Sequence, residues 1–277
     1  MTHVGTKEAI AGFQERFSQI VRNVKSWSVL DWVLFFIVIP LLLYLVYLLP
    51  QNFKDAYLIF NMSELYKVHT FLLNEYIHSE DLHLWGNVKF YFVALLAIFA
   101  FENDKKRFWI MMCSAFLLVP IIATTLTVIF WNLIHRNATS QGFSGIAAAL
   151  SAYAMMVFLF WAMHDLMPLF KQSKKFTIRQ YPGYIVMCIL IALTFSFVIV
   201  FGLQLGMFIQ GEGAVSNGIA HFGGFITGLI VFLLCDLIPE NRSLNLDIIF
   251  GLSIIIGIYV YIPYLLKIID GIKNGVG

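Results

Sequence analysis

Charge is what this chain has least of. Only 12% of its 277 residues are Asp, Glu, Lys or Arg, while 60% are hydrophobic. A soluble domain carries about 25% charged and about 45–50% apolar residues. A single core of this size could not hide so much apolar surface, so a soluble fold is excluded and lipid must be the solvent for much of the chain. The net charge is only +2 and no Lys/Arg-rich block occurs, which argues against a nucleic-acid partner. Cysteine is scarce too. Cys113, Cys188 and Cys235 each sit inside an apolar run, where they read as packing residues, not as disulfides or metal ligands. No secretory signal is evident, because the first 25 residues are charged throughout and lack a continuous apolar stretch.

What is present is a series of long apolar runs. Seven of them approach the 20 or so residues a span needs: Val29–Leu49, His83–Phe101, Phe108–Trp131, Ser144–Met163, Gly183–Ile209, Gly218–Leu237 and Leu246–Leu266. Before them, Ile10, Phe13, Phe17, Ile20 and Val24 recur at helical spacing, which predicts an amphipathic helix lying on the membrane surface. The longest connection, between the first two runs, holds a second amphipathic stretch, Ser63–Ile77, also expected in the interface. Lys105, Lys106 and Arg107, and then Lys171, Lys174, Lys175 and Arg179, mark two inner loops. That places the N-terminus in the cytosol and, with seven spans, the C-terminus outside. We expect a multi-pass protein of the cell membrane.

In this topology spans two, four and six start at one depth, near the outer surface, and their first residues are unusual. Span two opens with His78, His83 and Asn87. Span four opens with Gly142-Phe143-Ser144-Gly145. Span six opens with Ala220-His221-Phe222-Gly223-Gly224, followed by Gly228. Each piece alone has a plain structural explanation. A serine caps a helix, a histidine at a span end is hydrogen-bonded, and Gly224 with Gly228 forms a small-xxx-small packing stripe. Polar side chains inside a membrane are costly, however, and their convergence from three helices marks a site facing an aqueous cavity.

Together they supply the parts of serine acyl transfer. Ser144 is the candidate nucleophile and His221 the base that takes its proton. His83, Asn87 and the Ser144 backbone N–H are candidate donors to an oxyanion. Gly142 and Gly145 let the chain turn and a substrate approach. Gly223, Gly224 and Gly228 let span six press on span four. No Asp or Glu falls in the middle of spans two to six, so the pattern predicts a Ser–His dyad unless Glu75, Glu80, Asp81 or Glu212 folds in from an outer loop. Span five and the loop Gln210–Asn217 are expected to act as a lid.

The ordered set His78-x4-His83-x3-Asn87, Gly142-Phe-Ser144-Gly and Ala220-His221-x2-Gly224-x3-Gly228 resembles the signature of the rhomboid intramembrane serine proteases. The resemblance implies an all-α polytopic membrane protein: an N-terminal segment 1–28, a six-helix bundle over 29–237, and an added C-terminal helix and tail over 238–277. It implies cleavage of transmembrane or membrane-proximal segments of other membrane proteins, with no metal or organic cofactor. Ser144 matches the family nucleophile and His221 its base. His83 and Asn87 match its oxyanion residues, and His78 its structural histidine. The chain differs from many members in having Ala148, not an aromatic residue, one turn after Ser144. It also reads Tyr66-Lys-Val-His-Thr70 where many carry Trp-Arg. Two other readings share parts of the pattern: a non-cleaving rhomboid-like protein that binds membrane clients, and a transporter or metal-binding protein using His78, His83 and His221 as ligands. Substrate identity and oligomeric state leave no mark in the sequence.

Overall fold

The structure, a computed structural model, describes residues 3–133, 139–162 and 218–236, with side chains from residue 14 onward. The expected fifth and seventh spans, the proposed lid loop Gln210–Asn217, and Glu212 lie outside the described residues. Apart from one two-residue strand pair, the described elements are helical. Five of the helices are long and apolar enough to cross a membrane: α2 (Val29–Tyr47), α5 (Asp81–Phe101), α6 (Lys105–Leu133), α7 (Ser144–Trp161) and α8 (from Gly218). They coincide with the first four apolar runs and the sixth. The chain is an integral membrane protein in outline.

Ahead of them, α1 (His3–Ser26) is the amphipathic helix that the apolar spacing predicts. Asn23 fastens its last turn by donating from Nδ2 to the Ala100 carbonyl, 3.2 Å away. The next residue but three, Trp27, donates from its indole to the Phe99 carbonyl and stacks on the Phe99 ring at 4.2 Å. Ser28 and Asp31 then form a capping box that starts α2, each backbone N–H donating to the other's side chain. Within α2 the residues Leu34–Val38 form a π-helical turn. Pro40 follows two residues later and brings no N–H, so the ladder shifts register just before it.

Helix α7 is the centre of the bundle. Of its apolar window 78% is buried, against 11% for α2, which stands at the periphery. Helix α8 (Gly218–Asp236) lies along α7, backbone against backbone at Gly224 and Gly228. A methyl group on Gly224 would stand 2.0 Å from the Gly145 carbonyl oxygen, and one on Gly228 would stand 2.3 Å from that of Ala149. Both pairs advance by four residues, so the two helices run parallel in register. Gly223, which the sequence also assigns to this contact, turns to α6 instead, where a methyl group would meet Leu126 Cδ1 at 2.9 Å.

The opposite end of the bundle is held by one carboxylate. Glu102, directly after α5, accepts from Arg107 Nε at 2.9 Å and Nη2 at 2.8 Å, from the Asp104 N–H, and from the Tyr153 hydroxyl of α7. The Arg107 guanidinium lies over the Phe232 ring of α8, 4.9 Å from its centre. A charge this deeply buried is tolerated because every part of it is paired. Helices α5, α6, α7 and α8 therefore meet at this end, and the starts of α5, α7 and α8 meet at the other.

The glycine contacts yield a test. Gly224→Ala and Gly228→Ala must push two backbones apart, at a cost of about 1–3 kcal/mol or more. Gly86, on α5, has nothing within 4 Å of a would-be methyl group. Thermal unfolding in detergent should show clear losses for the first two, and no loss for Gly86→Ala.

Candidate active site

The site is built by the long connection between α2 and α5. After α2 the chain forms α3 (Gln51–Tyr57) and then the strand β1 (Phe60–Asn61). It continues through a short turn at Met62–Glu64 into α4 (Thr70–Leu73) and a 3-10 turn at Asn74–Tyr76. Strand β1 pairs antiparallel with β2 (Thr139–Ser140), Phe60 opposite Ser140 and Asn61 opposite Thr139. This fastens the connection to the segment just before Ser144. Lys54 provides a second fastening. Its ammonium donates to the Tyr47 carbonyl at 3.1 Å and to the His78 carbonyl at 2.9 Å. Burial pushes its pKa down.

The stretch Ser63–Ile77, expected to lie in the interface, divides in two. Leu65, Tyr66 and Val68 are exposed, while Thr70, Asn74, Glu75 and Ile77 are buried. The reason is what the second half does. Asn74, Glu75 and His78 reach the turn that starts α7, and each takes a backbone N–H from it. The Gly142 N–H donates to the Asn74 carbonyl at 3.0 Å. The Phe143 N–H donates to His78 Nε2 at 3.2 Å. The Gly145 N–H donates to Glu75 Oε2 at 3.1 Å, and the Ile146 N–H also bonds to that carboxyl. Asn74 is itself held, its Nδ2 donating to the Thr70 carbonyl and to Thr124 Oγ1 of α6.

His78 is fully buried, and its chemical state follows from its partners. The Phe143 N–H can only donate, so Nε2 must be the acceptor and the proton must sit on Nδ1. The Asn87 amide is then also a donor to Nε2, at 3.0 Å. An imidazolium would have to break both bonds. Burial first, and then the nearby His83 and Lys54, push the His78 pKa down to about 3. With its Nε2 lone pair committed to two N–H groups, His78 is poorly suited to the metal-ligand reading.

His83 sits on the other side of the turn. Its ring stands 5.2 Å from that of His78, and it packs on Gly142, where a methyl group would come 2.7 Å from Cε1. Gly142 also has φ +121°, a conformation open to glycine and strained for other residues. Both the angle and the ring therefore require glycine here. Gly145 makes room for Glu75, whose Oε2 lies 2.7 Å from the would-be methyl position.

His221 is brought to the same place by α8. Its neighbour Ala220 puts its carbonyl oxygen 3.3 Å from the would-be methyl position on Gly145, and Gly224, one turn on, lies against the Gly145 backbone. His221 is thus held beside the residue that follows Ser144, and is 1% exposed. Ser144 is 9% exposed, and Ala148, one turn further, is buried. The candidate residues Ser144, His221, His83, Asn87 and His78 converge at one end of the bundle, as do Gly142, Gly145 and Gly224. Gly228 lies a turn deeper. Of the carboxylates that could fold in, Glu75 does so, but to the helix start, taking backbone N–H groups. The one-residue signal in the sequence was an acid three positions before a motif histidine. Lys54 gave no such signal.

His78 should carry stability. Its folded pKa lies well below the ordinary value near 6.5, so its contribution is full above pH 6.5 and is lost as pH falls toward 3. His78→Ala orphans the Phe143 N–H and the Asn87 amide, each costing about 1–3 kcal/mol. Unfolding curves between pH 7 and pH 4 should show a lower melting temperature for His78→Ala, and a shallower loss on acidification than in the wild type.

No protein-family model, curated protein or solved structure matches this chain.

Proposed function

We propose that this protein is an intramembrane serine endopeptidase of rhomboid type that cleaves transmembrane or membrane-proximal segments of other membrane proteins. Ser144 is the nucleophile and His221 the base. The site opens toward the outer side of the membrane and the N-terminus is cytosolic, as the Lys and Arg distribution directs.

One observation carries this reading. Across Gly142–Ala147, the N–H groups of Gly142, Phe143, Gly145, Ile146 and Ala147 all have acceptors: Asn74, His78, Glu75 for two of them, and the Phe143 carbonyl. Among the described residues, the Ser144 N–H is the exception. A packing-only helix start has no reason to satisfy the groups on both sides and spare the one on the serine. A serine hydrolase does, because a tetrahedral intermediate needs a fixed, available donor beside the attacking oxygen. His83, which packs on Gly142, and Asn87, which is held by His78, are the side chains we assign as further donors to the oxyanion.

A serine-directed fluorophosphonate provides the test. The wild type should be labelled at Ser144. Ser144→Ala and His221→Ala should each fall to background, and the double variant should be no worse than either, because the two residues act as one unit. Asn87→Ala should retain more reactivity, with a loss of about 100- to 1,000-fold if it is one of several oxyanion donors. A Ser144→Ala protein that still cleaves a membrane substrate at the wild-type rate would overturn the assignment.

A further inference from the structure

Glu75 is a second unusual feature of the same site, and the dyad does not use it. Its carboxyl is 1% exposed, and no Lys, Arg or His pairs with it among the described residues. It reaches from the 3-10 turn Asn74–Tyr76 to the first turn of α7, where Gly145 and Ile146 donate to it. These are helix-start N–H groups with no partner inside the helix. A side-chain acceptor supplied from 70 residues earlier in the chain fills that need. It also fixes the backbone on the C-terminal side of Ser144, as His78 does on the N-terminal side.

Two forces act on the charge of this group. The N–H donors and the start of the helix favour a carboxylate. Removal from water without a cation opposes it. Chemistry at Ser144 adds a third consideration. The tetrahedral intermediate carries a negative charge within a residue of the Glu75 carboxyl, in surroundings that screen poorly. A second negative charge there would raise the barrier that the oxyanion donors lower.

Building on the serine hydrolase reading above, we propose that Glu75 is a positioning residue for Ser144, that it works as an uncharged carboxyl capping the first turn of α7, and that its ionisation switches the serine off at alkaline pH. Burial is the dominant influence on the group, outweighing the Gly145 and Ile146 bonds, and pushes its pKa up to about 8. The other titratable groups on the elements around it are Tyr76 and His78 of its own segment, His83 of α5, His221 of α8, and Lys54, whose ammonium is committed to the Tyr47 and His78 carbonyls. His78, already neutral, does not change charge near pH 8.

The experiment is fluorophosphonate labelling of the full-length protein in detergent from pH 6 to pH 10, with melting temperatures recorded alongside. The wild type should lose reactivity above about pH 8, approaching about tenfold per pH unit. Glu75→Gln keeps an oxygen acceptor for the Gly145 N–H but cannot ionise, so its labelling should persist through the alkaline range. Glu75→Ala removes the acceptor and should label more slowly at every pH, with Glu75→Gln rescuing most of that loss. A Glu75→Gln profile with the same alkaline fall as the wild type would overturn the proposal, as would Glu75→Ala labelling at the wild-type rate. Labelling that persists in Ser144→Ala would instead overturn the serine hydrolase reading itself. Labelling that requires Ser144 but ignores Glu75 would overturn only the role given to Glu75.

Discussion

A helix that begins inside a protein leaves its first backbone N–H groups without partners, and the surroundings must supply acceptors. That constraint at the start of α7 organises this molecule. The connection between α2 and α5 is long because it must deliver three acceptors, the Asn74 carbonyl, the Glu75 carboxyl and His78 Nε2, to one turn. Its other contacts hold those three in place. Strand β1 pairs with β2 just upstream of the turn, Lys54 grips the His78 carbonyl, and Thr124 of α6 holds Asn74.

The second requirement is proximity of α8, and it is met by what is missing. Gly224 and Gly228 allow backbone to lie on backbone, against Gly145 and Ala149. His221 shares a turn with Gly224, so the same close approach that packs the bundle also brings His221 to the end of α7 that carries Ser144 and Gly145. At the far end, Glu102 binds the helices through Arg107 and Tyr153. The bundle is thus tied by buried polar groups at both ends and by glycine in between. Apolar side chains such as Leu117, Leu118 and Ile121 on α6 remain exposed on the outside of the bundle.

Much of this was legible in the sequence because it is local. Hydropathy located both ends of α5 and the start of α7 to within a few residues, since a span must be apolar throughout. The His78, Ser144 and His221 motifs pointed to a common depth, and the structure brings them together. What was not legible depends on partners far away in the chain. Glu75 lies in a stretch that reads as amphipathic and superficial, and nothing nearby reveals that its partners are at Gly145 and Ile146. Lys54 looks like one more outer charge, yet it is 4% exposed. Gly223 belongs to a glycine cluster whose average direction is clear, but one residue is 100° of helix, enough to turn it from α7 to α6. The Asn74 acceptor is a main-chain carbonyl, which no side-chain pattern encodes.

The distance in sequence between Glu75 or His78 and the turn they hold, 70 and 65 residues, has a consequence for biogenesis. A chain is made from its N-terminus, and earlier elements fold first. Residues 74–78 therefore emerge two helices before the turn that satisfies them. Until α7 arrives, the Glu75 carboxyl keeps its water and His78 has neither the Phe143 N–H nor a fixed tautomer. Helix α7, in turn, has no cap to receive it until the loop is in place. Neither half of this turn can form alone, so the backbone around Ser144 takes its final shape only after the loop and α7 have met.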